Sequence, residues 1–268
     1  SSRVRGHGFE FDRTVVRRLL AHPAVGGVYL FPHQAANFRR SAKLRAMPSC
    51  FNGDLYYPEE PKDPRLVIRT GAALATKDYE LFFEAAAACP QHTFVLAIVR
   101  CLHMEEQVER IVDLNRRGGG RVDVRVNVPA EELAALVRRA GIHLHTHGTG
   151  APFGMPISIA ESMASGCLTL VRALPGAADY VGFAGRLYRS AGEAIALILA
   201  TEAWTPELWA STSSAAVEHA YERFADIRVL APLLDQWQRL VDSKLIGRIG
   251  SANFATHGRN VSKRSARS

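Results

Sequence analysis

From Arg65 onward, short apolar runs rich in β-branched residues alternate with longer stretches whose apolar positions recur every three or four residues. The short runs predict strands at 66–70, 93–99, 122–126, 142–146, 167–171 and 186–188. Between them the longer period predicts helices. One runs over 79–89 and is stopped by Pro90; another opens at Pro129 with Glu131 and Glu132 in its first turn, carries Arg138 and Arg139 in its last, and stops at Gly141. A third follows Pro156 and stops near Gly166, and further helices cover 191–201 and much of 206–240. Such alternation is the pattern of an α/β, doubly wound parallel sheet with helices on both faces. The first 60 residues differ in kind. They give one helix pattern over 11–21, one strand over 27–31 and a loop-rich remainder, which is less than a complete domain. Pro58, Pro61 and Pro64 then stiffen a linker over 56–64. The expected division is a partial domain and linker at 1–60, a Rossmann-like domain at 61–240, and a separate tail at 241–268. Gly118, Gly119 and Gly120 lack the spacing of a phosphate loop and read as a flexible connection.

Charge sharpens that division. The formal net charge is +7, but from Val241 onward six basic residues face the single acid Asp242, so five of the seven positive charges belong to the tail. A Ser-, Gly- and Arg-rich end of this composition is expected to be disordered, with attraction to an anionic membrane as its functional alternative. The charge location argues against nucleic acid as a partner. No apolar run is long enough to span a bilayer and the first twelve residues are polar, so the expectation is a cytoplasmic protein, peripheral at the inner membrane surface if the tail acts there. Cys50, Cys89, Cys101 and Cys167 are scattered without a Cys-x-x-Cys pair, which fits reduced structural thiols and predicts no metal from them.

The densest chemistry lies in the stretch from Ala151 to Gly166, which follows a strand and opens a helix. Gly154 lets backbone approach a ligand, Pro156 presets the first helical turn, and the free N–H groups of that turn suit a phosphate. Glu161, one to two turns further in, is placed to accept hydrogen bonds from ribose hydroxyls. An ordinary strand-to-helix turn with a surface glutamate is the alternative reading of the same residues.

The same residues resemble the retaining nucleotide-sugar glycosyltransferases of the GT-B fold, in particular the large family 4-like group. The resemblance runs from about Phe51 to Leu240. Phe51-Asn52-Gly53-Asp54 is similar to that group's turn into the interdomain linker, and Gly71 to Lys77 to its Gly-Arg-Leu-x-x-x-Lys loop. Ala140-Gly141-Ile142 through Phe153-Gly154, Glu161 to Gly166, and Pro175 to Val181 are similar to the segments that follow. The resemblance implies a GT-B C-terminal, donor-binding domain that takes an NDP-sugar, UDP- or GDP-linked, as substrate. It implies no cofactor and no metal, and an acceptor that is a carbohydrate or a lipid-linked glycan. It also implies roles. Lys77, with Arg69 nearby on the strand end, would neutralise the donor diphosphate as the catalytic cations. Glu161, Gly154, Met155, Gly71, Ser158, His145 and His147 would bind the donor. Three departures stand beside it: Ala72 replaces the loop arginine, neither Phe153 nor Ala151 supplies the group's first glutamate, and the front half is short. A non-catalytic nucleotide-sugar-binding or interaction module is therefore the competing reading.

Other residues are weighed on their own. His143, His145 and His147 alternate on one strand and so project to one face, where a metal cluster, a sugar-pocket wall (His145 and His147) and a satisfied core histidine (His143) are the three readings. Trp204, Trp209 and Trp237 read as packing anchors of the C-terminal helices. A structural role is expected for His33, and a wet helix face for Arg17 and Arg18.

Overall fold

The structure is a computed structural model that describes residues 3–6, 9–59, 61–99, 104–150 and 153–242. Cys101, Ala151 and the basic stretch after residue 242 lie outside the described residues. The chain opens with an antiparallel hairpin, β1 (Arg3–Gly6) and β2 (Phe9–Asp12), where the sequence pattern predicted only the approach to a helix. Helix α1 (Arg13–Ala21) follows. Strands β3 (Val28–Leu30) and β4 (Leu44–Ala46) then pair in parallel around the single turn α2 (Pro32–Ala35).

The body of the molecule is a sheet of six parallel strands. In chain order its elements are β5 (Asp63–Gly71), α3 (Tyr79–Ala88), β6 (Thr93–Ile98), α4 (Glu105–Arg117), β7 (Val122–Val126), α5 (Ala130–Arg139), β8 (Ala140–His145), α6 (Ile157–Ala164), β9 (Leu168–Arg172), α7 (Ala177–Val181), β10 (Arg186–Tyr188) and α8 (Ala191–Ala200). A 3-10 turn leads to α9 (Pro206–Phe224), and α10 (Asp226–Asp242) follows a break at Ala225. The strands lie in the order β10-β9-β8-β5-β6-β7. Counted from β5 this is the doubly wound order, in which the chain starts mid-sheet, builds outward one way and then returns to build the other. The direction reverses between β5 and β8, so the loops after those two strands diverge and leave a crevice.

Both faces of the sheet are covered. On one, Leu66 and Ile68 of β5 pack with Leu133 and Val137 of α5, Ile159 and Met163 of α6, and Ala216 and Ala220 of α9. On the other, Val67 packs with Phe82 of α3, Ile111 of α4 and Ile198 of α8. Strands buried on both sides need no polar alternation, which is why they read as continuous apolar runs.

Two glycine readings change. Gly141 does not stop α5: the helix ends at Arg139, Ala140 is already extended, and Gly141 lies inside β8. A Cβ at that position would come 2.7 Å from both the Asp63 carbonyl oxygen and the Pro64 Cα, so the glycine permits β5 and β8 to approach. Gly118–Gly120 is not a slack connection. Its three N–H groups bond back to Leu114, Arg116 and Asn115, closing α4 with Gly119 and Gly120 at positive φ. Trp204 and Trp209 pack against the core as expected, whereas Trp237 is 51% exposed.

Candidate functional site at the reversal of the sheet

The loop after β5 carries Lys77 and the loop after β8 carries Gly154 and Met155. Three contacts knit them. The Gly148 N–H donates to the Thr76 carbonyl at 2.8 Å, while Arg172 at the end of β9 donates to the His147 carbonyl at 3.0 Å and pairs with Asp78 at 2.5 Å. Asp78 also caps α3 by accepting from the Leu81 N–H. One arginine thus ties the ends of three strands together. The sequence pattern marks neither Arg172 nor Asp78 as special, because their meeting depends on strand order.

Lys77 is half-buried. Burial, with repulsion from the Arg69 guanidinium, lowers its pKa from 10.5 to about 7. Gly71 ends β5 at φ +139°, a conformation that disfavours a side chain. Across the crevice Gly154 (φ +65°) and Met155 (φ +52°) are consecutive left-handed residues ahead of α6. Met155 is costly there, by about 1 kcal/mol or more, and such outliers concentrate where backbone N–H groups are aimed at a ligand. Pro156 precedes the helix in an extended conformation and is not its first residue, and no side chain caps the N-terminus of α6. Ser158 is buried in the first turn.

Glu161 is the fifth residue of α6. Burial raises its carboxyl from 4.5 to about 7, opposed by hydrogen bonding with Tyr56. Burial foremost, with that carboxylate next, drives the Tyr56 hydroxyl well above its ordinary value. Tyr56 was read only as linker, and its side chain is buried beside α6. No sequence signal marks it, since a Tyr-Tyr-Pro run reads as spacing.

Arg69 does not line the crevice. It is 1% exposed, its Nε donates to the Thr146 hydroxyl at 2.7 Å, and its guanidinium lies 4.6 Å from the centroid of the Tyr79 ring. Its Nη1 has no hydrogen-bond partner among the described residues. The arginine therefore acts on Lys77 through its field and not as a second exposed cation. His145 and His147, expected to bind the donor, are also buried, at 1% and 0% exposed. The three histidine rings stand about 6 Å apart in a row, and burial keeps His143 and His145 neutral by lowering their pKa values. Both ring nitrogens of His143 and of His145 lack hydrogen-bond partners among the described residues, so His143 is a core histidine but not a satisfied one.

Phe153 is one of the two positions, with Ala151, where the resemblance places a first glutamate. It is buried, with its ring edge-on to His145 and to Tyr180. Beside it a cavity of about 670 Å³ opens between the Phe153–Met155 loop, Pro175–Gly176, Tyr180, and Pro32, Ala36 and Pro48 of the first segment. Gly154 and Met155 belong to its wall; Lys77 and Glu161 do not.

Solved structures share this fold. HepE from Anabaena, in complex with UDP and glucose, superposes with a TM-score of 0.69 at 19% identity over 85% of this chain and 68% of that one. Sucrose-phosphate synthase from Thermosynechococcus elongatus gives a TM-score of 0.68 at 20% identity, over 85% of this chain and 62% of the synthase. A glycosyltransferase from Rickettsia africae gives 0.71 at 13% identity, over 89% and 69%. The fold is that of the GT-B glycosyltransferases. The chain spans about two thirds of these neighbours' length, and at such identity the likeness is one of fold. No protein-family model and no curated protein matches the chain. Within the GT-B fold the crevice between β5 and β8 is the general place for a ligand, at the carboxyl ends of strands where the winding reverses. Among the described residues no helix is long and apolar enough to cross a membrane.

Proposed function

We propose that this chain is the donor-binding part of a retaining GT-B glycosyltransferase that takes an NDP-linked hexose, with UDP the favoured nucleotide. The observation that carries the reading is that the loop holding Lys77 is bound to the loop after β8 by the Gly148–Thr76 hydrogen bond, while the start of α6 beyond that loop has no side-chain cap. A diphosphate seated there meets an ammonium on one side and backbone N–H groups on the other. Its ribose hydroxyls then donate to Glu161. In transfer, the bond from the anomeric carbon to the diphosphate oxygen breaks as the acceptor hydroxyl oxygen bonds to the same face of the sugar, its proton passing to the departing diphosphate oxygen. Lys77 and the helix N-terminus offset the charge that develops on the departing diphosphate, without a metal. Neighbours of the same fold that hold UDP, with glucose or as UDP-glucose, support the choice of nucleotide. Residues 1–60 are read as the last elements of an acceptor-side domain, 61–240 as the donor domain, and the basic residues after 242 as an anionic-surface contact at the cytoplasmic face. The acceptor is a carbohydrate or lipid-linked glycan.

A second reading, a nucleotide-sugar-binding module without turnover, is favoured by Phe153 in place of an acid and by the burial of Arg69. Calorimetry with UDP, GDP and their hexose conjugates tests both. Saturable binding of one nucleotide, lost in Glu161→Ala and Lys77→Ala, supports a donor site, and transfer to an added acceptor separates enzyme from module. Absence of binding to every conjugate overturns both readings.

A further inference from the structure

A second cavity, of about 720 Å³, lies at the opposite end of the sheet, where the parallel strands begin. It is within the size range of small-molecule sites. Trp204 and Trp209 form one wall, half-buried, with ring centroids 5.0 Å apart. Their inner edges pack against the core below α3 and α8, which holds the pair rigid while leaving ring area open. Pro61, Pro64 and Pro206 stiffen the rim. None of these features is needed for the donor crevice, which they face away from.

The polar side of the cavity is equally specific. Arg65, Gln91 and Glu202 are exposed, and each ends in a planar group able to engage two neighbouring oxygens at once. Arg65 forms no ion pair among the described residues. His92 sits behind them with its side chain 1% exposed and its Nδ1 3.8 Å from Glu202, out of reach of a ligand in the cavity. Lys62 is not part of this set, because its ammonium is engaged by the Arg138 and Ala140 carbonyls.

The geometry points to a saccharide site in this cavity, in which a hexose unit lays its C–H face on Trp204 and Trp209 and presents vicinal hydroxyls to Arg65, Gln91 and Glu202. An apolar ligand would leave these three groups unmet. A sugar has both an apolar face and closely spaced donors and acceptors, and a rigid aromatic wall binds it at low entropic cost. Neutral and uronic-acid saccharides share this chemistry, with Arg65 as the group that would favour the acid. The inference does not depend on the donor reading.

The test is an indole N–H nuclear magnetic resonance titration of the full chain in the Trp237→Phe background, with maltotriose, mannotriose and tri-galacturonate as probes. Saturable shifts of the Trp204 and Trp209 signals at millimolar probe are expected with at least one of them. Binding should weaken roughly tenfold in Arg65→Ala and in Glu202→Ala, both exposed rim residues, and persist in Glu161→Ala. Preference for tri-galacturonate would identify the acid class, and equal binding the neutral one. Absence of saturable shifts, shifts unaltered by both rim variants, or loss of binding in Glu161→Ala would overturn the site.

Discussion

The two loops that flank the crevice are opposites built to one end. After β5, burial pushes the Lys77 ammonium down to about 7; on α6, burial pushes the Glu161 carboxyl up to about 7. Neither is paired with the other, and each has one modifying neighbour, Arg69 for the lysine and Tyr56 for the glutamate. A cation and an acid are thus both held close to losing their charge. The difference lies in what restores it. A phosphate recharges the lysine, whereas hydroxyl donors recharge the glutamate, so a ligand bearing both would couple to protonation in opposite directions at its two ends.

The largest disturbance to this comparison is Thr146→Val. It removes the acceptor of the buried Arg69 Nε, and about 3 kcal/mol of stability should be lost, read as a lowered urea midpoint. Next in size is nucleotide affinity. Lys77→Ala should weaken UDP binding by about 2 kcal/mol, roughly thirtyfold, and Glu161→Ala by somewhat less; calorimetry reads both. Equal binding by Lys77→Ala would place the phosphates elsewhere.

The signs of the pH dependence sharpen the contrast. The folded-state pKa of Glu161 is raised, so its contribution to stability is full below 4.5 and is lost as pH rises through 7. Glu161→Gln should therefore gain on the parent between pH 4.5 and 8.5, on the order of 2 kcal/mol. Lys77 is depressed, so its contribution is full above 10.5 and is lost as pH falls through 7. Lys77→Met should gain as pH falls over that window, by a similar amount. Denaturant midpoints across pH would show two slopes of opposite sign, and parallel slopes would refute the comparison. The smallest effect is that of Tyr56→Phe. Losing that hydroxyl should raise the Glu161 pKa further and weaken UDP binding by no more than about 0.5–1 kcal/mol, visible as a shifted pH profile of binding.

Much of this was legible in the sequence, and unevenly so. Strand positions came within one to three residues because doubly buried parallel strands are runs of apolar residues, and β10 matched at both ends. The start of α6 and the place of Glu161 were readable from Pro156 and the helical period. What failed were statements about neighbours. Gly141 carried a stop signal locally, but its real constraint is the backbone of Asp63 and Pro64, nearly eighty residues away. Arg69 looks available on a strand end until strand order sets Thr146 and Tyr79 against it. His145 and His147 alternate correctly, yet alternation cannot say whether the shared face is open or covered, and here it is covered. Phe153 was recognised as a missing acid; that it completes an aromatic run from His145 to Tyr180 needed the fold.

Early and late segments of the chain are bound to one another. Phe51 bridges to Ala225 and its N–H donates to the Phe224 carbonyl, while the Tyr29 hydroxyl donates to Gln236, 207 residues further on. On the ribosome these partners emerge far apart in time. At roughly 5–20 residues per second the early segment waits about 10 s or longer for the helices that cover it. During that interval the six-strand body can already close upon itself, so Tyr29 and Phe51 find their partners after it although they are made before it.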